Sequence, residues 1–352
     1  MKVLPKSASL LHAFKSSSII HFSIAQYSTD FSHLPGARQP KKPQKSTSRR
    51  LLEISHEQVV SSFKHSVDLV RQHDFDNYIG GLFSPKAAQP GIFAVLAFNV
   101  ELAQIREKVG ADSKSTTGIY RLQFWKDTLE SIFNKRVGPV PRQPIAIALC
   151  SFASTSPFLL WESIVTARQQ TIGDRQFKTV DEACKYGLST WGSVIKLWMN
   201  SLATISPNAS SLIDHPQAIQ AAEHVATAFS MANMVRSALP LLSRGIVLLP
   251  ADLCSIHGVT PDRLYNKKQE NESKGVIRDL INIASDELLK ARSLKAAVPK
   301  ELRPALLSFV ASCEYIIRTT KKADYLLFDK KLQRRNALLP WTLLWRRARD
   351  SY

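Results

Sequence analysis

The segment AFNVELAQIRE, residues 97–107, lies in the middle of a long apolar stretch with helical periodicity. Its apolar side chains recur three and four residues apart, which predicts a helix with a buried face. The same segment carries several polar or charged side chains: Asn99, Glu101, Gln104, Arg106 and Glu107. A buried core helix does not usually hold so many polar groups, and the acids are too few for a metal site.

Helical periodicity continues on both sides of this segment, from residue 55 almost to the end of the chain. Pro, Gly and Asn separate the helical stretches, and Val, Ile and Thr never settle into the alternation that indicates a strand. The pattern predicts helices near residues 55–72, 90–109, 117–134, 143–153, 156–170, 178–203, 215–239, 273–297, 301–329 and 337–349. We therefore expect an all-α fold in which residues 51–352 form one large helical domain that ends in a basic, Trp-rich helix.

The positive charge of the chain is concentrated at its two ends. The formal net charge is +18, and a charge of this size would suggest nucleic acid or an anionic membrane if it were spread evenly. Residues 1–50 carry +8 and residues 330–352 carry +6, which leaves about +4 for the body between them. Because that remainder is ordinary for a domain of this size, we expect no nucleic-acid partner.

The first thirty residues have the composition of a targeting segment. Residues 1–29 contain no acid, are rich in Ser, and space Lys2, Lys6 and Lys15 among Leu, Phe and Ile. This pattern predicts a mitochondrial presequence at residues 1–30; a disordered basic tail is the alternative. Residues 31–50 follow as a basic linker that is rich in Pro and has no apolar pattern to pack.

The cysteines and the hydropathy of the chain limit its location. The four cysteines stand far apart without CxxC spacing: Cys150, Cys184, Cys254 and Cys313. They are interpreted as ordinary buried thiols in a reducing compartment, and no metal site is expected from them. No unbroken apolar run reaches the roughly 18 residues that cross a bilayer. The chain is therefore expected to lack a transmembrane span and to be soluble or peripheral.

Four stretches in a fixed order resemble the squalene/phytoene synthase family. They are YIGGLFSPKAAQPGIFAVLAFNVELAQI, QFWKDTLESIF, QPIAIAL and NMVRSALPLLSRGIVLLPADLCSIHGV. The matching positions are Ala97 and Phe98, then Trp125 and Lys126, then residues 144–149, and finally Asn233, Arg236, Arg244, Leu249 and Pro250. Each motif is loose, so the order and the spacing carry the resemblance, which implies the all-α fold of isoprenoid synthases.

The resemblance also implies a metal-dependent active site. In that family two facing helices carry acids four residues apart, which hold magnesium ions that clamp a prenyl diphosphate. The corresponding positions are Ala103, Gln104 and Glu107 on the first helix, and Ser237, Pro240 and Leu241 on the second. Glu53/Glu57 is the only i,i+4 acidic pair in the chain, and it is interpreted as a solvated helix face. We therefore expect no catalytic residues, no metal and no cofactor.

Five polar residues remain where the resemblance places the cleft: Glu101, Glu107, Asn233, Arg236 and Arg244. They form either a remnant pocket for an anionic lipid or another polar ligand, or a buried ion-pair network that holds two helices in register. The second interpretation is favoured, because buried charges persist mainly when they are paired. It predicts that Glu101 or Glu107 pairs with Arg236.

Within the family, FNVELAQI, QFWK, LLPADLCSIHGV and the terminal NALLPW are similar to a mitochondrial branch of assembly factors for respiratory complex I. This similarity implies a non-catalytic protein on the matrix side of the inner membrane, which acts early and handles a membrane-arm subunit. The implied partners are complex I subunits or assembly intermediates and the inner-membrane surface. The alternatives are a magnesium-dependent prenyl diphosphate synthase and a lipid-binding pseudoenzyme.

The C-terminal segment LLPWTLLWRRARD predicts a short helix with two kinds of exposed side chain. Trp341 and Trp345 lie near one side, whereas Arg346 and Arg347 supply positive charge. These four residues are candidates for contact with an anionic membrane or with a partner helix. The alternative is a terminal helix that packs its tryptophans into the protein's own core and leaves the arginines in water.

Overall fold

The computed structural model describes residues 54–352, apart from residues 110–114, 137–138, 173–175 and 267–269. It also leaves out the side chains of residues 106–109 and 115. The predicted presequence (1–30) and linker (31–50) therefore lie outside the described residues. So do Glu53 and the side chains of Arg106 and Glu107.

The described part of the chain is helical and contains no strand, which confirms the all-α prediction. The helices are α1 His56–His73, α2 Phe75–Leu82, α3 Gln89–Val109, α4 Ser115–Ile132, α5 Pro144–Phe152, α6 Phe158–Thr171, α7 Val180–Gly187, α8 Ser193–Ala203, α9 Ala209–Ile213, α10 Pro216–Leu242, α11 Ala251–Ile256, α12 Pro261–Tyr265, α13 Glu270–Ser293, α14 Pro304–Lys322 and α15 Leu339–Ala348. A π-helical turn, Leu188–Gly192, joins α7 to α8, and short 3-10 turns lie at Lys86–Ala88 and Lys330–Gln333.

Two differences from the predicted helices have clear causes. The sequence pattern misses α2 because its adjacent glycines are typical of a loop. In the structure a Cβ at Gly80 would lie 2.5 Å from the Cβ of Ser308, so this glycine permits close helix packing instead of a turn. The helix predicted at 301–329 ends at Lys322, because Asp324 and Tyr325 have positive φ angles of 48° and 58° that a right-handed helix cannot continue.

Two long helices, α3 and α10, form the centre of the protein. Both are apolar around most of their circumference, so each must be surrounded by other helices to leave water. Helix α3 packs against α1, α5 and α8, and α10 packs against α13, α14 and the π-helical turn. One contiguous core results, and its largest buried side chains include Trp125, Trp161 and Trp198.

The same two helices satisfy the length and hydropathy requirements for crossing a membrane. The stretches concerned are Lys86–Ile105 and Ala209–Leu242. Their apolar windows are 83% and 67% buried inside the protein, which is the environment of a core helix. These stretches are therefore weak evidence for a membrane span.

The cysteines divide into two environments. Cys254 and Cys313 are buried, as predicted, whereas Cys150 and Cys184 are half-buried, which corrects the expectation for that pair. All four are free thiols. Burial raises the pKa of Cys313 to about 12, so its reactive thiolate is scarce at neutral pH.

The contact between α2 and α14 predicts a strong effect of one methyl group. Gly80→Ala places a Cβ against Ser308 and is expected to lower the free energy of unfolding by about 1–3 kcal/mol through overpacking. Gly192→Ala is the matched control, since its Cβ would lie 3.6 Å from that of Ala226, an ordinary contact. Urea unfolding of both variants measures the difference, and equal stability of the two would contradict the packing argument.

Candidate functional site

A cleft opens where α3 and α10 separate, and it consists of two adjoining cavities. The cavities share the side chains of Ala103 on α3, Trp191 on the π-helical turn, and Asn233 and Ser237 on α10. The turn places Trp191 between the two long helices, where its ring packs against Phe229 at a centroid distance of 4.9 Å. Irregular helical turns of this kind are frequent at functional sites.

The inner cavity is apolar and has a volume of about 230 Å³. Its apolar walls include Leu102, Ile105, Leu122, Ile172, Phe177 and Leu248. Arg168 and Arg244 are the cations that line it. A cavity whose exposed surface is mostly apolar suits a hydrocarbon chain.

The outer cavity is polar and has a volume of about 430 Å³. Its charged lining consists of His73, Asp74, Asp76, Arg236, Arg334 and Arg335. Arg334 and Arg335 come from the segment just before α15, so the C-terminal part of the chain forms one rim of the cleft.

The ion pair in this outer cavity differs from the predicted one. Arg236 lies 3.5 Å from Asp76 on α2, and it also donates a 3.1 Å hydrogen bond to Asn233. Asp76 in turn accepts a 3.0 Å hydrogen bond from Ser312 on α14. The pair therefore joins α10 to α2 and α14, and not to α3.

Glu101, the predicted partner, faces away from the cleft. It lies roughly 160° around α3 from Ala103, as 3.6 residues per turn require. It lines neither cavity, and within the described residues no ion pair joins it to Arg236. The expectation is thus wrong for Glu101, while the side chain of Glu107 lies outside the described residues.

Asn99, another polar residue of the segment 97–107, has a partner that the sequence pattern does not indicate. Asn99 is buried and accepts a 2.6 Å hydrogen bond from Arg168 on α6. Gln104 lines the outer cavity, and Ala103 is exposed to the cleft. Asn99 and Gln104 are thus accommodated on α3 because the first has a fixed donor and the second faces the open cleft.

Two aspartates that the sequence pattern does not indicate line the cleft: Asp74, directly before α2, and Asp76, in the first turn of α2. Burial raises the pKa of Asp74, as does the nearby charge of Asp76, whereas a hydrogen bond from Asn77 opposes the shift. The sequence HDFDNYIGG could have indicated them, since it places two acids directly before an apolar stretch. Acids rarely stand in such a place without a partner.

These residues do not fit the magnesium ions that the resemblance implies. Where the resemblance places the family's acids, the cleft has Ala103, Gln104, Ser237, Pro240 and Leu241. Glu107 is the one carboxylate among these positions, and its side chain lies outside the described residues. Asp76, which is present, already contacts Arg236 and Ser312. In the described part of the chain no group of three or more His, Cys, Asp or Glu side chains could hold a metal ion. We therefore derive no metal-dependent step.

The structure contradicts the alternative in which the tryptophans of the C-terminal helix pack into the protein's own core. Trp341 and Trp345 are 70% and 60% exposed. Arg346 instead points inward and pairs with Glu314 on α14, which corrects its assignment as a surface contact. Arg347 is half-buried, and the guanidinium of Arg349 lies 4.0 Å from the centre of the Trp345 ring.

Removing the Asp76–Arg236 pair tests whether it holds the helices together. Arg236→Gln removes the cation that pairs with Asp76 and leaves this carboxylate near Asp74, whose pKa burial already raises. We expect the free energy of unfolding to fall by about 1–2 kcal/mol, a modest loss because the pair is partly exposed. Arg244→Gln is the control, because Arg244 is exposed at the inner cavity, and its effect is expected to stay within about 0.5 kcal/mol. If thermal or urea unfolding shows equal losses, the ion pair has no structural role.

Comparisons with known proteins agree with this fold. The family model described as "Squalene/phytoene synthase" matches residues 70–343. The protein "NADH dehydrogenase (ubiquinone) complex I, assembly factor 6" is 32% identical in Bos taurus, over 82% of this chain and 83% of that protein. The Homo sapiens protein of the same name is also 32% identical, over 82% of each chain.

Solved structures share the architecture at low sequence identity. A dehydrosqualene synthase in complex with ligand superposes with a TM-score of 0.66 at 16% identity and covers 83% of this chain and 97% of that one. A squalene synthase from Alicyclobacillus acidocaldarius gives a TM-score of 0.61 at 17% identity, over 77% of this chain and 97% of that one. The chain therefore belongs to the squalene/phytoene synthase family, in its complex I assembly factor 6 branch.

Proposed function

We propose that this chain is a non-catalytic assembly factor for mitochondrial respiratory complex I. The observation that carries the proposal is a synthase-type cleft lined by Ala103, Ser237 and Leu241 at positions where the family's acids are expected. The names of the relatives in Bos taurus and Homo sapiens support the same role. The chain would act early, on a membrane-arm subunit, at the matrix face of the inner membrane.

The chemistry of the cleft argues against ionisation of a prenyl diphosphate. A leaving diphosphate needs its developing charge neutralised, and in a synthase this is done by metal ions held by carboxylates. Neither the methyl group of Ala103 nor the neutral hydroxyl of Ser237 supplies the negative charge of a carboxylate ligand. Two carboxylates line the outer cavity: Asp76 pairs with Arg236, and burial raises the pKa of Asp74.

The proposed location draws on both ends of the chain. The acid-free, Ser-rich residues 1–29 suit import into mitochondria. The exposed Trp341 and Trp345 suit the interface of a bilayer, where amphipathic aromatic rings are enriched. Together they favour a peripheral protein of the inner membrane.

Depletion of the protein tests the assembly role. We expect less fully assembled complex I on blue-native gels and lower NADH:ubiquinone oxidoreductase activity, with complex III as the internal control. Re-expression of this chain is expected to restore both. Normal complex I after full depletion would rule out the assembly role.

Turnover by purified protein tests the enzymatic alternative. The full chain, incubated with farnesyl or geranylgeranyl diphosphate with and without magnesium, is expected to give no product, because Ala103, Ser237 and Leu241 stand where the resemblance places ion-holding acids. A bacterial dehydrosqualene synthase assayed in parallel serves as the positive control. Magnesium-dependent product formation that Glu107→Gln abolishes would favour the synthase instead.

A second candidate function, binding of a lipid without catalysis, is favoured by the adjoining apolar and polar cavities. Ala103 lies in the wall of both and is exposed to the cleft, so Ala103→Trp would fill the junction with little effect on the core. If the cleft binds a lipid, we expect mass spectrometry to detect several-fold less co-purified lipid in Ala103→Trp than in the unmodified chain. Gly192→Ala serves as the control, and equal recovery would exclude the cleft as the lipid site.

A further inference from the structure

A second concave surface lies between α13 and α14, on the side of α14 that faces away from Ser312 and the cleft. This groove has a volume of about 570 Å³. Its cationic lining consists of Arg292 on α13 and of Arg318, Lys321 and Lys322 on α14. We name it the basic groove. Glu314 is the single carboxylate among the described residues that line it.

The charge of Glu314 is already neutralised within the protein. Arg292 and Arg346 both pair with this carboxylate, so the cluster at this end of the groove retains a net positive charge. Burial lowers the pKa of Arg292. The nearby positive charge of Arg346 lowers it further, because the two cations lie close together. The Nη1 atom of Arg346 is buried and has no hydrogen-bond partner in the described part of the chain. The groove therefore attracts anions along its length.

The pair of Glu314 and Arg346 connects the groove to an exposed apolar surface. Arg346 belongs to α15, so its pairing with Glu314 attaches α15 to the end of the basic groove. The outer side of α15 exposes Trp341, Leu344 and Trp345, with exposed fractions of 70%, 48% and 60%, and Leu338 directly before α15 is 66% exposed. We name it the tryptophan face. Leu289 adds a further exposed apolar side chain at the wall of the groove itself.

Bilayer phospholipid is the occupant that suits this combination. An anionic headgroup layer attracts clustered lysines and arginines, and indole rings and leucines partition into the boundary beneath it. An acidic protein would satisfy the groove but would leave the tryptophan face exposed. We propose that the basic groove and the tryptophan face together form a docking surface for an anionic phospholipid bilayer. The inference rests on the proposed function in so far as that function places the protein at a membrane.

Vesicle flotation of the full chain tests the proposal. The probes are phosphatidylcholine vesicles and phosphatidylcholine vesicles with roughly 30% phosphatidylglycerol. We expect binding to the anionic vesicles that weakens as salt is raised, and little binding to the neutral ones. Equal binding to both kinds of vesicle, or binding to neither, would overturn the proposal.

Two sets of variants assign the binding to its two parts. The triple variant Arg318→Gln, Lys321→Gln, Lys322→Gln is expected to lower partitioning into anionic vesicles by roughly 100-fold, at about fivefold per basic residue. Its control changes the charge equally at exposed residues of other helices and loops, Lys64→Gln, Lys178→Gln and Arg263→Gln. The double variant Trp341→Ala, Trp345→Ala is expected to lower partitioning at least about tenfold. Its control is Leu159→Ala, Tyr265→Ala, which removes exposed apolar side chains on α6 and α12.

The outcomes separate this surface from the assembly role. Partitioning of the groove variant equal to that of its charge-matched control would overturn the groove, and full partitioning of the tryptophan variant would overturn the tryptophan face. A groove variant that floats normally but fails to restore complex I would indicate a protein partner in place of a bilayer. Normal flotation of the unmodified chain, with no effect of its depletion on complex I, would keep the surface and remove the assembly role.

Discussion

The burial of two long helices that are apolar around most of their circumference is the constraint on which the rest of this structure depends. Helices α3 and α10 can leave water only if other helices surround them, and α1, α5, α8, α13 and α14 provide these contacts. Where α3 and α10 separate, Trp191 and the side chains at their facing surfaces line a cleft. The fold and the cleft are thus consequences of one packing problem.

The cleft lies in a fold shared with squalene and dehydrosqualene synthases, and most of its described polar groups are paired within the protein or face its open part. Polar groups that face it either have fixed partners, as Asn99 has in Arg168, or line its open outer part, as Gln104 does. The ion pair between Asp76 and Arg236 gives α10 a polar link to α2, and Ser312 extends that link to α14. One fold can carry different functions, because function depends on the residues of the site and not on the fold itself.

The periodicity of the sequence predicted nearly every long helix but not how α2 fits among them. Two adjacent glycines are typical of a loop, and only the neighbouring Ser308 and Phe93 show that they allow helices to approach closely. Within the site, the order of the motifs predicted that Asn233, Arg236 and Arg244 lie at the cleft. The partner of Arg236 could not be predicted, because Asp76 is 160 residues away along the chain and lies on the helix that the pattern missed.

The sequence by itself determined the all-α class, the family and the absence of carboxylates at Ala103, Ser237 and Leu241. These properties depend on local periodicity and on the identity of residues at known spacings, which need no coordinates. Only the tertiary structure decided that Glu101 faces away from the cleft, that Arg346 points inward and that Trp341 and Trp345 remain exposed. The physical reason is that a helix presents every direction to its surroundings, and the packing of distant segments decides which of its sides is covered.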